Sequence, residues 1–322
     1  MSLKIVYMGT PEFAVAPLKA LLDGGYTIAG VVTAPDRPAG RGQRIQMSAV
    51  KAFALSNGLP LAQPEQLRDE EFLQQLRAWD ADVFVVVAFR MLPEEVFTIP
   101  PKGTFNLHAS LLPQYRGAAP INRALMNGER QTGVTTFFID KKMDTGQIIF
   151  REATDISADE NAGQLHDRLM QMGAALVVKT IEAIAGGEVH PVSQSAVLKD
   201  RVKDAPKITK ETRIIQWQQS PKTIYDQIRG LSPRPAAISE LWHASGTPFA
   251  LVKIISAKME IATHSLNPGT LHIEGNVLRV ACNNGFILIT ELQLAGKKAM
   301  SAAQFIAGFR HLGHYRFYVQ KD

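Results

Sequence analysis

A single cysteine, Cys282, stands in a chain of 322 residues, so no disulfide can close within it and a cytoplasmic home is expected. Cys282 ends the apolar run Val277–Cys282 and reads as core rather than as a nucleophile. The G-x-G-x-x-G fingerprint is missing. Gly9-Thr10-Pro11 after the first apolar run reads as a tight turn opening a helix, which gives no ground for a dinucleotide or ATP. No stretch reaches the roughly 18 apolar residues of a membrane span, and the first residues lack a secretory core and cleavage site, so no membrane partner is expected. The eight histidines show no metal spacing: His311 and His314 form an H-x-x-H pair with no cysteine or acidic ligand close in sequence, so no metal is expected. Asp144-Thr145-Gly146 occurs once, whereas an aspartic protease needs two such carboxylates sharing a proton.

What the chain does have is the make-up of a soluble globular protein, 46% hydrophobic and 20% charged, at a length that suggests two domains. Charge is uneven. Residues 207–322 hold 14 Lys and Arg against 7 Asp and Glu, while the remainder holds 21 against 23. A near-neutral body with a basic carboxyl-terminal part suits a polyanionic partner or, as readily, a solvated basic domain.

The order of elements is that of an α/β fold. Leu3–Met8 reads as a buried strand followed by a helix to Leu22, and Thr27–Thr33 as a second strand. Helices over Ser48–Asn57 and Asp69–Trp79 follow, then the unbroken apolar run Val83–Ala88, of the kind buried on both faces of a parallel sheet. Alternation of strands and helices implies a Rossmann-like, doubly wound, mostly parallel sheet. Gly163–Ala185 is a long helix. Beyond Ala205-Pro206-Lys207 short strands at Ala250–Ile255, Gly269–Ile273, Val277–Cys282 and Phe286–Leu292 indicate a small antiparallel barrel or sandwich. The domains are placed at 1–204 and 209–322, joined by a linker at 205–208.

Three polar residues carry the chemistry. Asn106 and His108 are two apart on an apolar strand and so point to the same side; Asp144 follows the next strand-like run. An amide can donate to an oxyanion, an imidazole can take a proton, and a carboxylate can orient and balance the imidazole. Those are the parts needed to move an acyl group onto an amine, and the lack of a cysteine or activated serine favours direct transfer. The loop from Ser110 to Pro120 lies at a strand's carboxyl end, where open α/β sheets place ligands. A second loop, Pro35 to Arg44, carries Arg37, Arg41 and Arg44 on a glycine-rich frame suited to phosphate contact or to a solvated surface.

Taken together these segments resemble the methionyl-tRNA formyltransferase family, over essentially the whole chain. The resemblance rests on Gly9-Thr-Pro-Glu-Phe, the basic loop, Asn106-Leu-His-Ala-Ser-Leu-Leu-Pro, Arg116-Gly-Ala-Ala-Pro-Ile and Asp140 to Gly146. It continues through Ala205-Pro-Lys-Ile-Thr-Lys-Glu, Leu231-Ser-Pro-Arg-Pro and Gln293-Leu-Ala-Gly-Lys-Lys-Ala-Met. It implies a Rossmann-like catalytic domain followed by an OB-like β-barrel that binds tRNA. The implied reaction is formyl transfer from 10-formyltetrahydrofolate, as co-substrate, to methionyl initiator tRNA by a monomer. Asn106, His108 and Asp144 would be catalytic. Folate would lie against Val87, Ala88, Phe89 and Arg90 and against Ser110, Leu111, Leu112 and Pro113. The tRNA would meet Arg37, Arg41, Arg44, Lys207, Lys210, Lys297 and Lys298. Ala88-Phe89-Arg90 departs from the Ala-Tyr-Gly usual in the family, and Arg90 adds bulk and charge there. A folate hydrolase or a sugar-amine formyltransferase would use the same three residues, and a non-catalytic tRNA-binding protein could share the scaffold.

Overall fold

The structure is a computed structural model describing residues 3–39, 44–198, 201–309 and 312–318. The chain divides into two compact units. One comprises Met1–Pro120, Gln131–Asp155 and His166–Ala205, the other Ile121–Arg130, Ile156–Leu165 and Pro206–Asp322. The sequence suggests one cut near 205–208; the second unit also takes two short segments from the amino-terminal half.

In chain order the first half holds β1 (Lys4–Gly9), α1 (Val15–Asp23), β2 (Thr27–Val32), β3 (Arg37–Ala39), β4 (Arg44–Gln46) and α2 (Ala49–Ser56). Next come β5 (Leu61–Ala62), α3 (Glu70–Ala78), β6 (Val83–Val87), α4 (Glu94–Phe97) and β7 (Thr104–His108). It ends with α5 (Pro120–Met126), β8 (Gln131–Phe138), β9 (Ile148–Asp155) and α6 (Ala162–Gly186). The main sheet runs β5-β2-β1-β6-β7-β8-β9. Its first five strands pair in parallel, and β8 and β9 add an antiparallel edge.

Local chemistry explains the ends of these elements. Ser48 caps α2 by accepting from the Lys51 N–H, and Asp69 caps α3 by accepting from the Glu71 N–H. All five residues of β6 are buried, as a strand covered on both faces requires. One face packs Val6, Met8, Phe84 and Val86 on Phe72, Leu73 and Leu76 of α3. On α6, a side chain at Gly173 would collide with Leu107 at 2.6 Å, so helix and strand β7 touch there. By length and mean hydropathy (1.3) α6 could cross a membrane, but 44% of its most apolar window is buried inside the fold.

Strand order reverses around β1, with β2 on one side and β6 on the other. The crevice beyond the carboxyl ends of such strands is the usual ligand position. Gly9, Val87 and Leu107 lie side by side there.

The Pro35–Arg44 segment, read from sequence as a loop, has an ordered stem. β3 and β4 form an antiparallel ribbon with Arg37 opposite Gln46 and Ala39 opposite Arg44. Arg41 lies outside the described residues, as does His311.

The second unit is an antiparallel sheet with helices α7 (Lys210–Arg213), α8 (Pro221–Leu231) and α9 (Ala302–Gly308). Its strands are β10 (Ala237–His243), β11 (Pro248–Ile261), β12 (Leu271–Glu274), β13 (Val277–Cys282), β14 (Gly285–Leu294), β15 (Met300–Ser301) and β16 (Tyr315–Phe317). The order is β12-β13-β14-β11-β10-β16, with β15 against β14. The sheet curls until its two edges approach: the Phe317 N–H donates to the Gly269 carbonyl at 2.9 Å, giving the half-closed barrel expected of this part. Inside it Ile224, Ile228 and Leu231 of α8 pack with Trp217, Val280, Ile287 and Phe317.

Candidate active site

The apolar residues of β7 anchor it in the sheet, and the strand delivers Asn106 and His108 toward its carboxyl end. Asn106 is half-buried between Val86 of β6 and Phe137 of β8 in register. Its carboxamide makes no hydrogen bond to any described residue, so both N–H groups are available. His108 is buried. Its Nε2 lies 2.8 Å from the Tyr115 carbonyl. A carbonyl only accepts, so Nε2 carries the proton and Nδ1 is the nitrogen left to exchange one. Nδ1 is 3.9 Å from the Asp144 carboxylate, an ion-pair separation too long for a hydrogen bond.

Asp144 sits on a tight loop after β8. Asp140 organises that loop, its Oδ1 accepting from the Lys142 N–H at 2.9 Å and from the Thr145 hydroxyl at 2.7 Å. Asp144 itself has φ +53°, a left-handed conformation uncommon for a non-glycine residue. Its Oδ2 accepts from the Gly117 N–H at 2.9 Å. Gly117 has φ +121°, and a Cβ there would stand 2.6 Å from the Ala205 carbonyl oxygen. The loop that holds it is laced to the strap before Ala205: Tyr115 N–H donates to the Lys203 carbonyl at 2.6 Å and Ala205 N–H to the Arg116 carbonyl at 2.7 Å.

Ser110 and Leu112, expected to touch folate, are fully buried. The Ser110 hydroxyl donates to the Gln114 carbonyl at 2.6 Å, and Leu112 packs with Phe137 and Ile148. They shape the loop and present no surface to a ligand. Pro113 is buried too, and Leu111 half-buried. At the end of β6, Val87 is buried, whereas Ala88 is exposed with φ +47°. Phe89 packs against the core, and the Arg90 guanidinium lies 5.5 Å from its ring centroid. Arg90 donates to the Glu65 carbonyl at 2.9 Å and to the Pro64 carbonyl, while its Nε is buried without a hydrogen-bond partner among the described residues. Burial lowers its pKa from the ordinary arginine value, opposed by the Glu65 carboxylate. Beside it an open groove of about 450 Å³ is lined by Gln66, Leu67, Arg68, Arg90, Met91, Leu92 and Pro93. No cluster of His, Cys, Asp and Glu able to hold a metal occurs among the described residues.

Comparison with known proteins bears on this geometry. Residues 3–181 match the formyl transferase model and residues 207–310 the model of the formyl transferase C-terminal domain. A methionyl-tRNA formyltransferase of Bacteroides fragilis is 51% identical over 309 residues, 95% of each chain. One from Parabacteroides distasonis is 50% identical over 317 residues, 97% of this chain and 98% of its own. The chain belongs to the methionyl-tRNA formyltransferase family. Among solved structures, a HypX from Aquifex aeolicus in complex with tetrahydrofolic acid superposes with a TM-score of 0.65 at 16% identity. That match covers 100% of this chain and 49% of the other. WlaRD, a sugar 3N-formyl transferase, gives 0.64 at 21% identity over 92% of this chain and 100% of its own. At such identities the likeness is one of fold.

The residues that this family membership suggests for tRNA are on the surface where they can be described. Arg37 is exposed on β3; Lys207, Lys210, Lys297 and Lys298 are exposed on the second unit. Sequence reasoning missed the groups that hold His108 and Asp144 in place: the Tyr115 carbonyl, the Gly117 N–H and Gln194. Two of these are backbone groups, which any residue type supplies, and Gln194 sits in Pro191-Val-Ser-Gln-Ser, a segment with no periodic pattern. The groove residues Gln66–Arg68 were missed as well. They precede α3 in sequence and meet Arg90 only through the fold.

Proposed function

We infer that this chain is a formyltransferase that moves a formyl group from a folate to the α-amino group of methionyl initiator tRNA, giving N-formylmethionyl-tRNA. The observation that carries the reading is 50–51% identity, along nearly the whole chain, with relatives that bear the name of that activity. The finer proposal for the donor is 10-formyltetrahydrofolate, whose N10 supplies the formyl group when it is bound. The site suits such a molecule. The groove joins apolar side chains to two arginines, a combination suited to flat rings and carboxylates.

Each residue then has a part. The Asn106 carboxamide donates to the oxygen of the formyl carbonyl as negative charge grows on it. His108 takes the amine's proton at Nδ1, because Nε2 is committed to Tyr115. The imidazolium so formed faces Asp144, whose carboxylate balances its charge across 3.9 Å. A bond forms between the amine nitrogen and the formyl carbon, the bond from that carbon to N10 breaks, and His108 returns the proton to the departing nitrogen. Ala88, Phe89, Arg90 and Leu111 border the folate; Ser110, Leu112 and Pro113 fix the loop. Arg37, Arg41 and Arg44 meet the acceptor stem, and Lys207, Lys210, Lys297 and Lys298 meet tRNA phosphates. In this reading the protein is a cytoplasmic monomer that needs no metal.

Incubation with 10-formyltetrahydrofolate and charged initiator tRNA, followed by detection of formyl-methionine, tests the proposal. Formyl release only to a nucleotide-linked amino sugar, or to water alone, would overturn it.

A further inference from the structure

We propose that Gln194 is a positioning residue for Asp144, holding the carboxylate in its working place without touching substrate. The inference rests on the reading of Asp144 given above. Gln194 is 3% exposed, yet every hydrogen-bonding site of its amide is used. Its Nε2 donates to the Asp144 carbonyl and to the Gly146 carbonyl, each at 2.9 Å. Its Oε1 accepts from Arg116 Nε at 3.0 Å and from Arg116 Nη2 at 2.6 Å. The orientation of the amide admits no alternative, since carbonyls only accept and a guanidinium only donates.

The two ends of this amide grip the two segments that define Asp144. One is the turn that keeps Asp144 left-handed. The other is Arg116-Gly117, whose Gly117 N–H donates to the Asp144 carboxylate. Gln194 therefore closes a ring: the Asp144 carboxylate to Gly117, Arg116 to Oε1, and Nε2 back to the Asp144 main chain. Neighbouring Val192 is fixed in turn by paired hydrogen bonds to Ile148 of β9, both at 2.9 Å. With no free donor or acceptor, Gln194 has nothing to offer a ligand; its role is to set the angle at which Asp144 faces His108.

The test compares Gln194→Met, which keeps length and bulk but removes all four bonds, with Gln194→Glu. The glutamate can still pair with Arg116 but turns an acceptor toward two carbonyls. For Gln194→Met we expect kcat to fall about 10- to 100-fold, with KM for folate and for methionyl-tRNA within about twofold of wild type. Gln194→Glu should lose more kcat than Gln194→Met although it retains the arginine. Independently of activity, the backbone amide proton resonance of Gly117 should move upfield in both variants as its bond to Asp144 weakens. An unchanged kcat, a loss of kcat matched by KM, or an unmoved Gly117 resonance would overturn the role. Should Gln194→Met fail to fold, Arg116→Ala carries the same test, because it frees one end of the amide and leaves the other bonded. A wild-type protein that does not formylate methionyl-tRNA would sink the functional reading, while the Gly117 resonance would still decide on Gln194.

Discussion

The Asp144 carboxylate is hydrogen-bonded to the Gly117 N–H at 2.9 Å and stands a full ångström farther, at 3.9 Å, from His108 Nδ1. The carboxylate is thus anchored by backbone and acts on the imidazole through charge. Anchoring and charge can be separated experimentally, because an amide oxygen can replace a carboxylate oxygen as acceptor but brings no charge.

Asp144→Asn should keep the wild-type fold and Tm within a few degrees while cutting kcat by about 10²-fold or more. Asp144→Ala should lose both charge and anchor. Asn106→Ala removes the proposed oxyanion donor, and loss of one such donor typically lowers turnover by about 10²–10³. His108→Ala should do at least as much. Combined, the three should fall far short of the product of their separate effects, since they act as a unit. Single-turnover transfer of labelled formyl measures this directly; near wild-type turnover in His108→Ala would show the centre to be misassigned.

Gly146→Ala should be among the most damaging small changes in the loop. A Cβ at that position would stand 1.7 Å from the Phe138 carbonyl oxygen, a backbone atom that cannot swing aside. Overpacking of this kind costs about 1–3 kcal/mol, and the shift would displace the neighbouring Asp144. Thermal melting and kcat should fall together, in contrast to Asp144→Asn.

The base of the β3–β4 ribbon carries its own pH signature. Asp36 is paired with Lys51 Nζ at 2.5 Å and accepts from Gln63 at 3.0 Å. Those two partners hold its pKa below the ordinary value of 3.8. A carboxyl lowered on folding adds stability that is fully present above 3.8 and lost as pH falls through the lower, folded-state value. The Tm difference between wild type and Asp36→Asn should therefore be constant from neutral pH down to about 5 and shrink below about 4. A difference that stays flat to pH 2.5 would contradict the pairing.

Arg41→Ala should raise KM for methionyl-tRNA and leave folate affinity unchanged. Lys297→Ala with Lys298→Ala should act differently. Each lysine that neutralises a phosphate contributes roughly one unit to the slope of log affinity against log salt. The double variant should bind more weakly at low salt and lose up to about two units of slope. Equal weakening at all salt concentrations would place both lysines away from the phosphates.

Several features of the molecule follow from local sequence alone. The run Val83–Val87 can only be covered on both faces, because every residue in it is apolar. The two-residue spacing of Asn106 and His108 commits both to one side of a strand whichever sheet receives it. The turn-separated strands after residue 248 have too little chain between them for anything but antiparallel pairing. Such features depend on period and residue type, which are written along the chain.

The rest depended on groups far apart in sequence. Nothing near Tyr115 or Gly117 marks its backbone carbonyl or N–H as the partner of His108 or Asp144, because the backbone is the same at every position. Ser110 and Leu112 follow His108 closely and looked available to a ligand; only the packing of Thr135, Phe137 and Ile148 around them decided that they are interior. Gln194 became a brace because β9 holds Val192, and so places a polar side chain between two loops it has no sequence relation to. The side chains suited to the chemistry are legible residue by residue, whereas the geometry that aims them is a property of tertiary contacts.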